Sequence, residues 1–408
     1  MRNPKKPAPK IEELHSSFNR QWVTETREYE VITFLMGGGV EPYEVDPITT
    51  VRAAEIKGWL RYWWRATRGG MFNGNLDKMR AREAQIWGWS ASGDQGGPSQ
   101  VVIEVTLKSP GRQVTQVKTH KGNVSLTHWS SPYSYVAFPL QTDEKPVFQG
   151  VRFELLIRYP KQWQTDVHAA LWAWETFGGI GARTRRGFGA LKRVDKNARD
   201  PAMTQVANWI RQHLNQYAGA SPWPQDVPHL SPQMALLVKY SDQDPFRVWQ
   251  RLIAALKAFR QDRYPGSGNR PGRSKWPEPD EIRRLTGNWI PKHQPKHSVR
   301  KFPRGQMGLP IVFHFKDKGD PQDAILQGAN HDRWASRLIL KVIPCQGGYV
   351  GLAAVLDGPN RPPGGWKLTG SVTKRVNATL TPKEAQQIPM LNGNPDVLQA
   401  FLDFLKSK

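Results

Sequence analysis

The stretch VRFELLIRYPKQWQTDVHAALWAWETFGGIGARTRRGFGALKRV, residues 151–194, decides the fold of the first half of the chain. Val151 to Tyr159 is rich in β-branched and aromatic residues and predicts a strand. Residues 162–177 predict a helix, a glycine-rich segment follows directly, and residues 187–194 predict a last strand. The stretch therefore predicts one strand–helix–strand unit whose connecting loop is rich in glycine and arginine.

The residues before this stretch predict a matching unit. A strand is predicted from Glu28 to Met36, helices at 53–67 and 76–87, and a second strand at 101–107. Residues 110–148 are an irregular insertion between the two middle strands. The order β-α-β-β-α-β is the split βαβ pattern of ferredoxin-like (RRM-like) domains, so an α+β fold of this type is predicted.

The second half predicts another copy of this fold, although a convincing fourth strand is lacking. A strand from Met234 to Tyr240 precedes a helix from Pro245 to Arg260 whose apolar residues share one face. Later elements are strands at 310–315, 337–343 and 350–356 and a helix at 395–405. Basic insertions fall at 262–279 and 287–309.

These elements predict two domains joined by a linker that is rich in proline. The expected organisation is a lead-in at 1–27, a first ferredoxin-like domain at 28–219, a linker at 220–232 and a second ferredoxin-like domain at 233–408.

Composition favours a polyanionic partner. The 408 residues carry 58 Lys and Arg against 35 Asp and Glu, which gives a formal net charge of +23. The basic residues are spread through segments that also carry tryptophan, and the 17 tryptophans offer flat faces on which bases can stack. Nucleic acid is therefore favoured over a membrane as the partner.

The single cysteine, Cys345, excludes a disulfide within the chain and a thiolate zinc site. The basic first residues, MRNPKKPAPK, lack the apolar core of a signal peptide, and no run of about 18 apolar residues could span a bilayer. We therefore expect a cytoplasmic protein with no membrane partner, no cofactor and no metal.

The first candidate binding segment is AAEIKGWLRYWWRATRGG, residues 53–70. On a helix, Lys57, Arg61, Arg65 and Arg68 fall on one stripe, where like charges repel. Such a stripe is better placed facing phosphates, because each cation can displace a counterion. The alternative is a solvated amphipathic helix.

The second candidate is FGGIGARTRRGFGAL, residues 177–191, with the glycine-rich loop at 178–189. Glycine permits positive φ and leaves main-chain amides free to meet phosphate oxygens, and arginine adds bidentate contacts. The candidate RNA-binding residues of this segment are Gly178, Gly179, Gly181, Arg183, Arg185, Arg186 and Gly187. The alternative is a helix end and hairpin whose arginines are exposed by chance.

Two segments of the second half are further candidates. KHQPKHSVRKFPRG, residues 292–305, is a basic run among prolines, although a solvated loop explains it as well. In RWASRLIL, residues 333–340, a tryptophan between two arginines is placed to bracket a base, although alternation of surface and core residues gives the same pattern. The candidate RNA-binding residues are Lys296, Arg300, Lys301, Arg304, Arg333, Trp334 and Arg337.

Four segments together resemble the first RAMP subunit of the Cmr complex, the type III-B CRISPR effector. They are IKGWLRYWWRA (56–66), GGIGARTRRGFGAL (178–191), FPRGQMGLPIVFHF (302–315) and RWASRLIL (333–340). The resemblance spans about residues 28–343. It implies two fused ferredoxin-like domains at one end of a complex of several RAMP subunits, in contact with the 3′ region of the guide RNA and with the paired target RNA. In such complexes a different subunit, which forms the backbone, cleaves the target. The insertions at 262–279 and 287–309 and the segment 357–365 match no family role.

An active site finds less support in the sequence. Metal-independent RNA cleavage needs a base near the 2′-hydroxyl and a group that assists the leaving oxygen. His120 and His128, in the insertion, are the best candidates for such a base, whereas the dipeptide His331-Asp332 lacks further metal ligands. The predicted function is non-catalytic RNA binding in antiviral defence. The alternatives are a RAMP endoribonuclease that processes precursor guide RNA and a mainly structural capping subunit.

Overall fold

In a computed structural model of the chain, the described residues are 21–39, 44–46, 49–92, 95–140, 145–219, 222–224, 226–267 and 272–408. Most of the predicted lead-in at 1–27 and part of the predicted linker at 220–232 lie outside these residues.

The strands of the first half are β1 (Trp22–Val31), β2 (Trp89–Ser92), β3 (Gln95–Gly97), β4 (Val102–Ser109), β5 (Arg112–Val114), β6 (Gln116–Thr119), β7 (Gly122–Ser125), β8 (Val147–Gln149), β9 (Arg152–Pro160) and β10 (Leu191–Arg193). Its α-helices are α1 (Ala53–Arg68), α2 (Leu76–Trp87), α3 (Ser134–Ala137), α4 (Gln164–Phe177) and α5 (Val206–Tyr217).

The main sheet of the first half has the strand order β10-β1-β9-β4, and all neighbours are antiparallel. In terms of the four predicted strands, this is the order fourth, first, third, second. α1 and α4 cover one face of the sheet, where the rings of Tyr29 in β1 and Trp174 in α4 lie 5.4 Å apart. A hydrogen bond joins the two helices: the indole Nε1 of Trp64 in α1 donates to Asp166 Oδ1 in α4 at 2.8 Å.

The first strand is displaced from its predicted position. The prediction placed it at 28–36, but the alternating segment Trp22–Val31 forms β1. The apolar side chains that follow, Ile32, Phe34 and Met36, are buried in a separate core cluster beside the insertion. Within residues 32–36, only Leu35 pairs with another chain segment in the manner of a strand, through a single antiparallel bridge to Phe148. The apolar run therefore continues as core packing after the strand has ended.

The strands of the second half are β11 (Leu236–Asp242), β12 (Ile311–Phe313), β13 (Ala324–Gly328), β14 (Leu338–Cys345), β15 (Gly348–Val355), β16 (Trp366–Gly370) and β17 (Lys374–Val376). Its α-helices are α6 (Pro245–Gln261), α7 (Glu278–Thr286), α8 (Pro382–Gln386) and α9 (Val397–Ser407).

The second half forms two sheets. β11, β15 and β14 lie in that order in an antiparallel sheet that contacts α6, and no fourth strand joins them within the described ranges. The strand predicted at 310–315 is β12, which lies in a separate sheet of order β12-β13-β16-β17. This second sheet has its own small core, in which Leu326, Leu368 and Trp366 are buried.

The two halves share one hydrophobic core. Ile339 and Ile343 in β14 and Leu352 in β15 are buried in the same cluster as Tyr29 and Trp174 of the first half. α4 contacts β14 directly, so the loop that leaves the end of α4 emerges at the junction between the halves. None of the helices in the described ranges has both the length and the apolar character that crossing a bilayer requires.

Candidate nucleic-acid interface

The glycine-rich loop, residues 178–189, is packed between the two halves. A Cβ atom at Gly178 would lie 2.4 Å from Nε1 of Trp63, and one at Gly187 would lie 2.4 Å from Nε1 of Trp249 in α6. Gly187 also has a φ of +87°, which favours glycine. Close packing and backbone conformation therefore account for glycine at these positions.

The amides of this loop have partners within the protein. Gly178 N donates to Trp174 O at 2.9 Å, Gly181 N to Glu55 Oε1 at 2.5 Å, and Gly187 N to Thr184 O at 3.1 Å. Free amides in a phosphate cradle were expected at these three positions, and they are engaged instead. RNA contact by Gly178, Gly179, Gly181 and Gly187 remains a prediction.

Two of the loop arginines tie the halves together. Arg185 donates from its guanidinium to the main-chain oxygen of Ser336, and to Tyr62 Oη at 2.6 Å. Arg186 Nη1 donates to Leu338 O at 2.9 Å. A main-chain hydrogen bond of 3.1 Å from Leu340 N to Arg185 O adds to this connection. These side chains thus have a structural role in addition to the predicted contact with RNA.

The same arginines belong to a concentration of positive charge that we call the arginine cluster: Arg183, Arg185, Arg186 and Arg260. Burial and the charges of Arg260 and Arg183 lower the pKa of Arg186 to about 9. Arg185, Arg186 and Arg260 form no ion pair with a carboxylate of the described residues. The four side chains are half-buried, and like charges held this close together repel one another and favour a bound polyanion.

Arg260, at the end of α6, was not among the predicted residues. Its Nε is buried, and within the described part of the chain no hydrogen-bond acceptor lies against it. Such an orphaned donor costs free energy unless a ligand or water satisfies it. The sequence offered no signal, because a single arginine in the last turn of a helix is common for its interaction with the helix dipole.

Aromatic side chains from the insertion border the arginine cluster. The guanidinium carbon of Arg183 lies 4.8 Å from the ring centroid of Phe138, which is 54% exposed. The guanidinium carbon of Arg260 lies 6.0 Å from the ring of Tyr135. Arginines beside accessible rings are the combination that binds single-stranded nucleic acid.

The stripe on α1 is largely neutralised by carboxylates. Arg61 Nε and Arg65 Nη1 lie 2.8 and 2.5 Å from the same Glu83 Oε1, and Glu83 is buried. Arg68 Nε lies 3.5 Å from Asp166 Oδ1. These three arginines therefore fasten α1 to α2 and α4, and their contact with RNA remains a prediction.

Lys57 differs from the rest of the stripe. Burial and the charge of Arg61 lower the pKa of the Lys57 ammonium group. No carboxylate of the described residues pairs with it, so its position on α1 remains open to an anionic partner.

The predicted residues of the second half are dispersed, and several are structural. Lys301 Nζ lies 2.7 Å from Glu384 Oε2, and Arg304 Nε lies 3.2 Å from the buried Glu278 Oε2. Arg337 is buried and donates to Leu356 O at 2.9 Å.

The other predicted residues of this half lie nearer the surface. Trp334 is half-buried, and its amide and carbonyl both bond to Leu309. The side chains of Lys296, Arg300 and Arg333 are exposed and form no ion pair with any described residue. These three positions are the most accessible of the predicted contacts.

The open face of the first sheet has a different character. Its outward side chains include an almost balanced set of charges: Glu28, Glu30, Glu104, Glu154, Lys108, Arg152 and Arg158. Arg152 pairs with Glu28 and Lys108 with Glu154, each at 3.3 Å. Although the chain has a net charge of +23, this face is nearly neutral, so it is less suitable for binding phosphates than the arginine cluster.

A separate polar cluster lies between the sheet and α4. His168 Nε2 lies 2.5 Å from Glu25 Oε1, and the hydroxyl of Tyr159 also donates to this oxygen. Burial would raise the pKa of Glu25, but hydrogen bonds from His168 and Tyr159 and the charge of Arg27 lower it to about 2. A histidine held by a carboxylate beside a tyrosine hydroxyl can transfer protons. No sequence pattern indicates this grouping, because Glu25 lies 134 residues from Tyr159 and 143 residues from His168.

The histidines that the sequence did suggest are placed differently. His128 Nδ1 lies 2.7 Å from Ser130 Oγ, and its ring lies against Trp129. Asp332 accepts a hydrogen bond of 2.8 Å from Gln327. In the ranges that the structure describes, no three His, Cys, Asp or Glu side chains are grouped as a metal site would require.

The first half of the chain is similar in sequence to known RAMP proteins. The model of the RAMP superfamily matches residues 28–192, which end within β10. The CRISPR system Cmr subunit Cmr1-1 of Pyrococcus furiosus is 28% identical over 169 residues, 38% of this chain and 48% of that protein. Cmr1-2 of the same organism is 27% identical over 156 residues, 34% of this chain and 81% of that protein. The match thus spans about half the length of the first relative.

Among solved structures, the crystal structure of Cmr1 from Pyrococcus furiosus in its apo form is similar to this chain. The TM-score is 0.52 at 15% identity, over 94% of this chain and 96% of that one. This likeness concerns the fold, an α+β arrangement with several antiparallel sheets.

Proposed function

We propose a function that proceeds from one premise: this chain belongs to the RAMP superfamily and is homologous to Cmr1 of the type III-B CRISPR Cmr complex. The chain is proposed to be a non-catalytic, RNA-binding subunit of such an effector in the cytoplasm. Its proposed partners are the 3′ region of the guide RNA, the paired target RNA and neighbouring RAMP subunits.

The observation that carries the proposal is the arginine cluster. Three of its members are drawn from one loop and the fourth from α6 of the other half, and the pKa of Arg186 is lowered by burial and by its neighbours. Repulsion among these arginines destabilises the folded protein, and binding to the phosphates of an RNA backbone would reduce that repulsion. Because phosphates carry no sequence information, binding should depend strongly on salt and weakly on sequence.

The domain organisation belongs to the same proposal. The strand order of the first sheet and the packing of α1 and α4 on one face support the predicted first ferredoxin-like domain. Because β1 begins at Trp22, within the predicted lead-in, we place this domain at 22–219 and not at 28–219. The order β11-β15-β14, with α6 against it, supports a second such domain at 233–408 that lacks the fourth strand. The arginine cluster would then lie where the two domains meet.

Binding of a labelled single-stranded RNA to the purified chain tests this function. Fluorescence anisotropy is measured over a series of salt concentrations, and the RNA is recovered and examined on a denaturing gel. We expect affinity to fall steeply and linearly on a log–log scale, with the RNA left intact. Affinity that is weak at low salt, or that does not change with salt, would contradict the proposal.

A second candidate function, processing of precursor guide RNA, is favoured by one observation. Glu25, Tyr159 and His168 place a proton donor and acceptor together without a metal. If metal-free incubation with repeat RNA yields products, His168→Ala should abolish them while Arg260→Gln should weaken binding only. RNA left intact by the wild type would exclude this candidate.

A further inference from the structure

The insertion between the two middle strands of the first sheet carries no acidic residue over a long stretch. From Val105 to Thr142 the sequence contains no Asp or Glu, in a chain that has 35 of them. The β6–β7 hairpin projects from this stretch, and its exposed side chains include Lys118, His120 and Lys121. An acid-free projection of this kind presents an uncompensated positive surface.

Trp129 is the most exposed of the large apolar side chains in the described ranges. It is 66% exposed, whereas Trp63 and Trp174 are buried. Nζ of Lys121, at the tip of the hairpin, lies 4.0 Å from the centroid of the Trp129 ring. The cation covers part of one face, and the high exposure leaves the indole accessible to a flat partner.

The turn that carries Trp129 is held by local hydrogen bonds. Ser131 N donates to His128 O at 2.8 Å, and Ser130 N donates to His128 Nδ1 at 3.3 Å. Leu126 and Tyr133, on either side of the turn, are buried. Because the ring is positioned before any partner arrives, binding would cost little ordering entropy.

We propose that Trp129 and Lys121 form a stacking site for an unpaired base of single-stranded RNA. This inference deepens the proposed function, on which it rests, by adding a base contact to the phosphate contacts of the arginine cluster. The same insertion contributes Phe138 beside Arg183, so one element reaches both sites. RNA is favoured over a protein partner because the surface combines cations, an open indole and no carboxylate.

The test compares single-stranded RNA with a fully paired duplex of the same length. The proteins are the wild type, Trp129→Ala, Trp129→Phe and the control Trp89→Ala, which removes a 46% exposed tryptophan over which no described cation lies. A single strand that contains 2-aminopurine also reports stacking through quenching of its fluorescence. We expect Trp129→Ala to weaken single-strand binding about tenfold and to lose the quenching.

Duplex binding by Trp129→Ala should be nearly unchanged, Trp129→Phe should recover most of the affinity, and Trp89→Ala should resemble the wild type. If Trp129→Ala binds the single strand normally while the wild type shows steep salt dependence, the stacking site is wrong and the proposed function stands. Equal losses for single strand and duplex would also overturn stacking. Failure of the wild type to bind either RNA would overturn both proposals.

Discussion

Arg185 in the glycine-rich loop donates a hydrogen bond from its guanidinium to the main-chain oxygen of Ser336, just before β14 in the second half. The loop therefore holds the halves in contact, and its arginines cannot be treated as surface cations. Replacing Arg183, Arg185 and Arg186 together would alter stability and RNA binding at once. Single substitutions that separate the two effects are more informative.

Arg185→Ala should reduce the free energy of unfolding. The side chain bonds both Ser336 O and Tyr62 Oη, and losing charge-assisted bonds of this kind costs about 1.5–3 kcal/mol. Urea unfolding measures the change. Arg333→Ala, at an exposed position, is the control and should alter stability by less than about 0.5 kcal/mol. Equal stability of the two variants would contradict a role for Arg185 at the junction.

The α1 stripe should behave as a structural feature. Replacing Arg61 and Arg65 by Gln leaves the buried Glu83 without its cations, at an expected cost of about 1–3 kcal/mol. RNA affinity should fall no more than in a control that replaces Arg247 and Arg251, two exposed arginines of α6. Native stability together with a large loss of affinity would instead support the predicted phosphate contacts.

Lys341 should make stability depend on pH. Burial lowers the pKa of its ammonium group to about 7 from the ordinary 10.5, although the charge of Glu175 opposes this. Between these values the unfolded chain binds more protons than the folded one, so the stability of the wild type should rise with pH. Below about pH 7 the full cost of the buried charge is present.

Lys341→Met removes this titration, so the stability of the wild type relative to the variant should increase between pH 6.5 and 9.5. The expected gain is about 2–4 kcal/mol by urea unfolding. Groups common to both proteins cancel in the comparison. Parallel pH profiles for the two proteins would mean that Lys341 keeps an ordinary pKa in the folded state.

Arg260→Gln should not destabilise the chain when RNA is absent. The substitution removes one of the charges that lower the pKa of Arg186 and a buried Nε without a described partner. We expect an equal or higher melting temperature without RNA, and a smaller rise on adding RNA than in the wild type. Differential scanning fluorimetry measures both. A clear loss of melting temperature without RNA would indicate that Arg260 stabilises the fold.

Local patterns predicted the first two helices well: α1 spans Ala53–Arg68 against the predicted 53–67, and α2 spans Leu76–Trp87 as predicted. The position of β1 was less predictable, since the apolar run after it packs in a core cluster without joining the sheet. β12 was predicted as a strand, but its sheet depends on pairing with β13 and β16, which lie farther along the chain.

The candidate site, like the sheets, depends on contacts between residues that are far apart in the sequence. The positions of the arginines are visible in the sequence, but their partners are set by tertiary structure. Glu83 lies 22 residues from Arg61 and removes that arginine from the list of uncompensated cations. Arg260 joins Arg186 only because α6 packs against the glycine-rich loop, where Trp249 Nε1 donates to Arg186 O at 2.7 Å.

The most direct test of the central claim is the salt dependence of RNA affinity for Arg260→Gln and Arg251→Gln. Both arginines lie on α6, but Arg251 is exposed and lies over Tyr240, away from the arginine cluster. If the cluster binds phosphate, Arg260→Gln should weaken binding about five- to tenfold at low salt and reduce the log–log slope by about one, with Arg251→Gln close to the wild type. Identical curves for the two variants would contradict binding of RNA at the arginine cluster.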